Sequence, residues 1–473
     1  MSVKIRKAIK IRQEVNASVW YVLSNTLTRG ASLLATPVFT RLLSPEEYSA
    51  YPLFVSYMGI FTVLATFEIP GAITYSGLSH FGDEESGGFM LSAFLCELML
   101  SSAFLSLYLI TRGSVNRVTG MSTALTLILI FQVFLNSAES LYFSKKRFFG
   151  AYKWVTLMNC VSGVLGPVLS IMLILAGLTG GARIISQLSI SVALGAFIIY
   201  RLITEGGGGV HRKYFRYIFK LAVPILPHYL ASSVTLGIDR IMISSLLGAG
   251  ALGMYSVAHS VGLSVSLIGS GMQMALAPYI AKKTSKEGNR GAREALLASQ
   301  TLLAILTAIF LCFAPELFRI FASEIYQGAL VAVYPVAIGC LFNYSSALCV
   351  SASVKLGRVG GVTAITVESM LLSLGLNYVM INSFGYTGAA LASLAVSVIR
   401  FFMNLALLCK GEQKESVNAK HYLQNTAFIL VFGILLFTVR SASVSRILLF
   451  LALILILIST LKKYRGVILR AAE

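Results

Sequence analysis

Arg29, Glu68, Glu97, Glu139, His228, Asp239, Arg240, His259, Glu368 and Arg400 each stand inside a long apolar run of the 473-residue sequence. At the centre of a lipid-facing helix an ionisable side chain costs about 2.5–3.5 kcal/mol, so each of these residues should face a protein interior or a polar cavity. An arginine in such a place can meet an anion, and a carboxylate can take part in coupling to a cation. Arg29 reads either as an anion contact in a central cavity or as a tie to Glu97 or another carboxylate. Arg240, toward the outer end of its run, and Arg400, about two and a half turns before Lys410, have snorkelling to the headgroups as the competing reading. Glu68 and Glu139 stand close enough to the inner ends of their runs to reach water or the Lys145 group. Pro224 and Pro227 share a run with His228, and prolines there free carbonyls and bend the helix. The candidate substrate contacts are therefore Arg29, Arg240, His228 and Asn25. The candidate ion-coupling or gating residues are Glu68, Glu97, Asp239, Pro224 and Pro227.

Other chemistries find no support in the residue pattern. There is no Ser-His-Asp set, no H-E-x-x-H and no paired C-x-x-C, and the six cysteines lie singly in apolar runs. Neither a catalytic centre, a metal site, a cofactor nor a disulfide framework is expected.

The elements that must carry these residues are membrane spans. The composition is 56% hydrophobic and only 12% charged, more apolar than a soluble core of this length requires. Runs of spanning length separated by short polar punctuation predict about fourteen helices, among them 218–246, 362–382 and 387–409. The net charge of +19 is spread over short loops rather than gathered into a nucleic-acid-binding patch. With the N-terminus inside, the inner loops hold Lys4–Arg12, Lys145–Arg147, Arg212–Lys220 and Lys462–Arg470. Roughly four basic residues then lie inside for each one outside, as the positive-inside rule demands of an even number of spans with both termini cytoplasmic. The basic N-terminal segment reads as an uncleaved cytoplasmic tail.

The chain also repeats itself. A uniform shift carries Leu42-Leu43 onto Leu246-Leu247, Ser49 onto Gly253 and Tyr51 onto Tyr255. In both copies the pattern sits between two long apolar helices, which predicts two halves of parallel topology. The expected organisation is an N-terminal six-helix lobe at 1–205, a cytoplasmic linker at 206–217, a second six-helix lobe at 218–410, and two further helices with a cytoplasmic tail at 411–473.

The stretch Pro37-Val38-Phe39-Thr40-Arg41-Leu42-Leu43-Ser44-Pro45-Glu46-Glu47-Tyr48, with Tyr51, resembles the polysaccharide-transporter family's P-x-x-T-R-x-L-S-P-x-x-Y-G-x-Y. In the second half, Pro224, Asp239-Arg240, Leu246-Leu247-Gly248 and Gly253-Met254-Tyr255-Ser256 are similar to its P…D-R-x-x-I…L-G…G-x-Y-S. Phe67-Glu68, Ala72-Ile73 and Asp83-Glu84-Glu85 match a pattern of some members, while Ser49 and Thr66 depart from the usual Gly and Arg. These are the Wzx-type O-antigen and exopolysaccharide flippases of the multidrug/oligosaccharidyl-lipid/polysaccharide exporter superfamily. The resemblance implies an all-α polytopic membrane protein of MATE/MurJ-like architecture, in which two six-helix lobes flank a central cavity. It implies an inner-membrane, non-enzymatic transporter of an undecaprenyl-diphosphate-linked oligosaccharide, with polysaccharide polymerase and chain-length machinery as partners. The competing expectations are a cation-coupled drug antiporter of the same fold, which would favour acidic cavity residues, and a membrane-embedded polymerase or ligase, which would need a long external loop.

Overall fold

The computed structural model describes residues 20, 24, 26–207, 209–283, 290–410, 419–440 and 442–472, with no strand among them. A helix over 26–42, α1, is followed by α2 (Pro45–Thr66), α3 (Ala72–Thr119), α4 (Thr123–Phe148), α5 (Tyr152–Leu175), α6 (Ala182–Thr204) and α7 (Arg212–Leu247). Then come α8 (Ala249–Gly262), α9 (Ser264–Lys283), α10 (Arg290–Cys312), α11 (Ala314–Phe321), a 3₁₀ turn (Glu324–Ala329), α12 (Leu330–Lys355), α13 (Val359–Cys409), α14 (Ala419–Thr438) and α15 (Ser443–Ala472). Among the described residues ten helices are long and apolar enough to cross a membrane, eleven when α8 and α9, bent by 41°, count as one span. The chain is a multi-pass membrane protein.

The expected number of about fourteen is larger for identifiable reasons. Helix α13 is 51 residues long, far beyond the roughly 20 residues that one crossing needs. It turns back at Gly385, whose φ of 63° only glycine adopts readily. A Cβ on Gly388 would run into the carbonyl of Met380, so the two arms meet where no side chain fits. Helix α3 breaks likewise at Gly82, φ 72°. The apolar helix at Tyr422–Thr438 falls short of the roughly 20 residues that one crossing needs.

By contact density the chain falls into two units, Met1–Ser32 with Ala50–Ile241, and Leu33–Ser49 with Met242–Glu473. Contact density groups helices by what they pack on, whereas a repeat groups them by sequence kinship. The lobes at 1–205 and 218–410 are proposed from the repeat alone.

In the first unit the inner end is tied by charge. Glu205, at the C-terminus of α6, takes Lys145 at 3.1 Å, Lys146 at 3.3 Å and Arg201 at 2.6 Å, and the Tyr142 hydroxyl donates to it at 3.1 Å. Lys145 is thus committed to Glu205. In the acidic stretch after Gly82, Glu85 accepts from Lys213 at 2.7 Å and from Tyr214 at 3.1 Å, joining α3 to the start of α7. Between α6 and α7, Gly207 presents its carbonyl to Gly87, where a Cβ would come within 2.6 Å of it.

In the second unit the motif that carries the family resemblance has a mechanical role. Ser44 starts α2 through a capping box: its N–H donates to Glu47 Oε2 at 3.0 Å and its Oγ accepts from the Glu47 N–H at 3.3 Å. Proline follows at the first helical position, where a missing N–H does no harm. Thr40 Oγ1 donates to the Phe321 carbonyl at 3.0 Å, Ser323 to the Thr40 carbonyl at 2.6 Å, and Tyr326 to the Leu43 carbonyl at 3.0 Å. Arg41 binds the carbonyls of Pro37 at 2.7 Å and Ile320 at 3.4 Å. These bonds fasten 33–49 to the end of α11 and the turn after it, and explain why it belongs to the second unit by contact. Farther along, Arg446 of α15, 7% exposed, makes a bidentate pair with Glu316 at 2.6 Å and also donates to the Cys312 carbonyl at 2.7 Å.

Candidate functional site

The polar interior of the first unit begins at a break between α2 and α3. Pro70 lacks the N–H that a continuing helix would donate to Thr66, and it disfavours helical geometry in Ile69. The chain passes the obstacle with Phe67 and Glu68 at φ 52° and 53°, a left-handed conformation that non-glycine residues seldom adopt. Backbone groups freed inside a membrane must find partners, and several do. The Ile69 carbonyl accepts from the N–H and the hydroxyl of Thr74 at 3.2 and 2.7 Å, and the Pro70 carbonyl accepts from Ser144 of α4 at 2.7 Å. Ile69 is fully buried and pins the break. Glu68 is thereby carried inward beside Tyr229, whose hydroxyl lies near Gly71.

Glu97, on α3, is fully buried, and neither of its carboxyl oxygens has a hydrogen-bond partner. Ser137 of α4 faces it, yet no bond of good geometry joins the two. Gln132, also on α4, is fully buried with both amide atoms unpartnered. Glu68 is near enough to act electrostatically on Glu97. Such an arrangement can hold a proton or a small cation, because an uncompensated carboxylate is costly in an apolar interior. Glu139 is half-buried and is not joined to Lys145, which is bound to Glu205.

Thr28 faces α5, where its hydroxyl donates to the Asn159 carbonyl at 3.4 Å and its methyl group covers Gly163. One residue on, about 100° around the helix, Arg29 is exposed. It makes no ion pair with Glu97 or with any other carboxylate among the described residues. His228 is half-buried beside Tyr229, with ring centroids 5.7 Å apart, and its Nδ1 has no partner. Pro224 and Pro227 lie within α7, which runs helical through both. Asp239 is buried and accepts the backbone N–H of Arg240 at 2.8 Å, while Arg240 Nη1 turns back to the Leu236 carbonyl at 3.1 Å. Asn25 lies outside the described residues. The structure therefore brings Glu68 and Glu97 together, but it does not join Arg29 to either of them. Ser137 and Gln132 were missed by the sequence reading, since nothing marks one uncharged polar residue in an apolar helix from another.

A family model described as polysaccharide biosynthesis protein matches residues 15–284. The chain belongs to this family. It is 24% identical over 395 residues to a putative O-antigen transporter of Shigella flexneri, covering 80% of this chain and 93% of that protein. It is also 24% identical over 391 residues to the probable low-salt glycan biosynthesis flippase Agl15 of Haloferax volcanii, covering 80% and 79%. Among solved structures it is similar to the lipid II flippase MurJ in an inward closed conformation, with TM-score 0.75 and 15% identity over 95% of this chain and all of that one. A multidrug resistance MATE family transporter in an inward-facing conformation gives TM-score 0.61 and 16% identity over 86% and 95%. This member of the polysaccharide biosynthesis family thus has the MATE/MurJ-like polytopic fold.

Proposed function

We propose that the protein is a flippase that moves an undecaprenyl-diphosphate-linked oligosaccharide, an O-antigen, capsule or exopolysaccharide repeat unit, across the bacterial inner membrane by alternating access. It is a transporter rather than an enzyme. The observation that carries the reading is the family match over more than half the chain in a fold shared with a lipid flippase. The physical need is plain: a diphosphate and its sugars cannot cross about 30 Å of hydrocarbon without a polar path. Arg29, exposed on α1 and in no ion pair among the described residues, supplies a cation for that path, with Arg240, His228 and Asn25 as further candidate contacts. Both termini are placed in the cytoplasm, the six-helix lobes act as the moving bodies, and polymerase and chain-length machinery receive the product.

The buried carboxyl of Glu97, which has no hydrogen-bond partner among the described residues, favours one element of the rival antiporter reading. Glu97 is too deeply buried to touch a bulky cargo, so Glu97 with Glu68 is assigned to ion coupling, together with Asp239. The reading is tested in proteoliposomes that hold the purified protein and a fluorescent polyprenyl-diphosphate glycan on one leaflet. Protein-dependent appearance on the other leaflet supports it. Movement of organic cations with none of the lipid-linked glycan would establish the antiporter instead.

A further inference from the structure

Helix α12 and the second arm of α13 share a polar seam of three rungs. In the first, Gly339 lies against Ser397; in the second, Arg400 Nη2 donates to Asn343 Oδ1; in the third, Asn404 Nδ2 donates to Ser346 Oγ at 3.1 Å. Both ends of the seam are pinned. Tyr386 donates to the Gly328 carbonyl at 3.1 Å at one end. At the other, Arg358 binds the last carbonyls of α13, with Nη1 to Leu408 at 2.9 Å, a cation placed where the helix dipole favours one.

The outer two rungs are closed: Ser397, Ser346 and Asn404 are 6%, 3% and 2% exposed. The middle rung is open, because Asn343 is exposed and Arg400 half-buried. Arg400 lies about 15 Å along the helix from the end of α13, too deep for an ordinary surface cation. Its guanidinium has five N–H donors. One meets Asn343, the Nε is buried without a partner, and no carboxylate pairs with it among the described residues. Two helices can be glued by neutral pairs, as Ser346 and Asn404 do. A lone cation in the middle of such a seam adds a desolvation cost that gluing does not need.

We infer that this rung is a mid-membrane anion site that takes the phosphate group of a polyprenyl-diphosphate-linked cargo, with Arg400 binding the oxyanion and Asn343 orienting the guanidinium. The inference rests on the flippase reading and adds a contact on α13 to it. A planar fork with free donors matches phosphate oxygens in a bidentate way, and the exposed Asn343 amide leaves a further donor beside it. The pinned ends hold the fork in place before the anion arrives, which lowers the cost of binding.

The test measures binding of farnesyl diphosphate to the full-length protein in detergent, with farnesol, inorganic diphosphate and phosphatidylglycerol as separate arms. Farnesyl diphosphate should bind and farnesol should not. Arg400→Gln should weaken binding roughly ten- to hundredfold, the loss expected for a charge-assisted hydrogen bond, and Arg400→Lys should weaken it less. Asn343→Asp changes an exposed side chain and sets a carboxylate against Arg400, so it should abolish binding while the melting temperature holds. Unchanged affinity in both Arg400→Gln and Asn343→Asp would overturn the site. Equal competition by phosphatidylglycerol would also overturn it, by making it a bilayer-lipid site. Normal glycan export by a folded Arg400→Gln protein in cells would refute this inference and leave the flippase reading standing, whereas failure of the wild-type protein to export glycan would refute the flippase reading itself.

Discussion

Gly253 approaches the carbonyl of Pro45 so closely that a Cβ on the glycine would clash with it. The two residues belong to the two copies of the repeated turn, so the copies meet at one place, within the second unit. The position equivalent to Gly253 is Ser49, which bonds to the Glu46 carbonyl at 2.6 Å and carries a side chain without conflict. Gly253→Ala should therefore cost about 1–3 kcal/mol through overpacking, while Ser49→Gly should shift stability by under about 1 kcal/mol. Melting curves of the purified variants decide this, and an alanine variant as stable as the wild type would show that the backbones lie farther apart.

Arg29 stands one residue from Thr28, whose packing on Gly163 fixes the rotation of α1. Among the described residues no carboxylate pairs with Arg29, which leaves its exposed guanidinium turned to meet an anion. Arg29→Ala should abolish surface glycan in a flippase-null strain although the protein inserts, and Arg29→Lys should retain part of the activity, since a point charge still attracts phosphate without the fork. Normal glycan display by Arg29→Ala at matched expression would make the residue dispensable.

The pair between Arg446 and Glu316 is asymmetric, because the arginine side chain is 7% exposed and the glutamate 48%. Glu316→Gln leaves a buried guanidinium without its counter-charge and should cost roughly 1–3 kcal/mol. Arg446→Met leaves a carboxylate that water can solvate and should cost less. Thermal unfolding of both variants gives the order, and the reverse order would mean that burial does not govern this pair.

At Glu205 burial opposes the charge, but the hydrogen bond and charge of Lys145, with Lys146 and Tyr142, outweigh it and hold the carboxyl below its ordinary value of 4.5. A carboxyl whose folded-state pKa is lowered stabilises the fold above the unfolded value, and that contribution is lost as the pH falls through the folded one. Glu205→Gln should therefore melt below the wild type by about 2 °C at neutral pH, and the gap should close progressively below pH 4.5. A gap that persists unchanged to strongly acid pH would show that the carboxylate charge is not what ties α4 to α6.

Much of the architecture was legible before any coordinates. Apolar runs of spanning length must be helices in lipid, because no other open structure satisfies its own backbone there, and the turn at Gly385 fell between the two runs predicted at 362–382 and 387–409. The S-x-x-E spacing of the capping box at Ser44 and Glu47 stands in the sequence, but the bonds that make it one emerged only from the structure. The pairing of side chains could not be read there either. Lys145 takes Glu205 rather than Glu68 or Glu139, Arg41 is spent on carbonyls 37 and 320, and the Glu97 carboxyl finds no hydrogen-bond partner among the described residues. Arg400, which competed with snorkelling in the sequence, proved to stand at the one open rung of a closed seam. The physical reason is the solvent. In water, hydrophobic periodicity marks the buried face of a helix, but lipid is as apolar as a protein core. A helix that is apolar all round does not reveal which side meets its neighbours, and only the tertiary packing decides which polar residues find partners and which are left to bind.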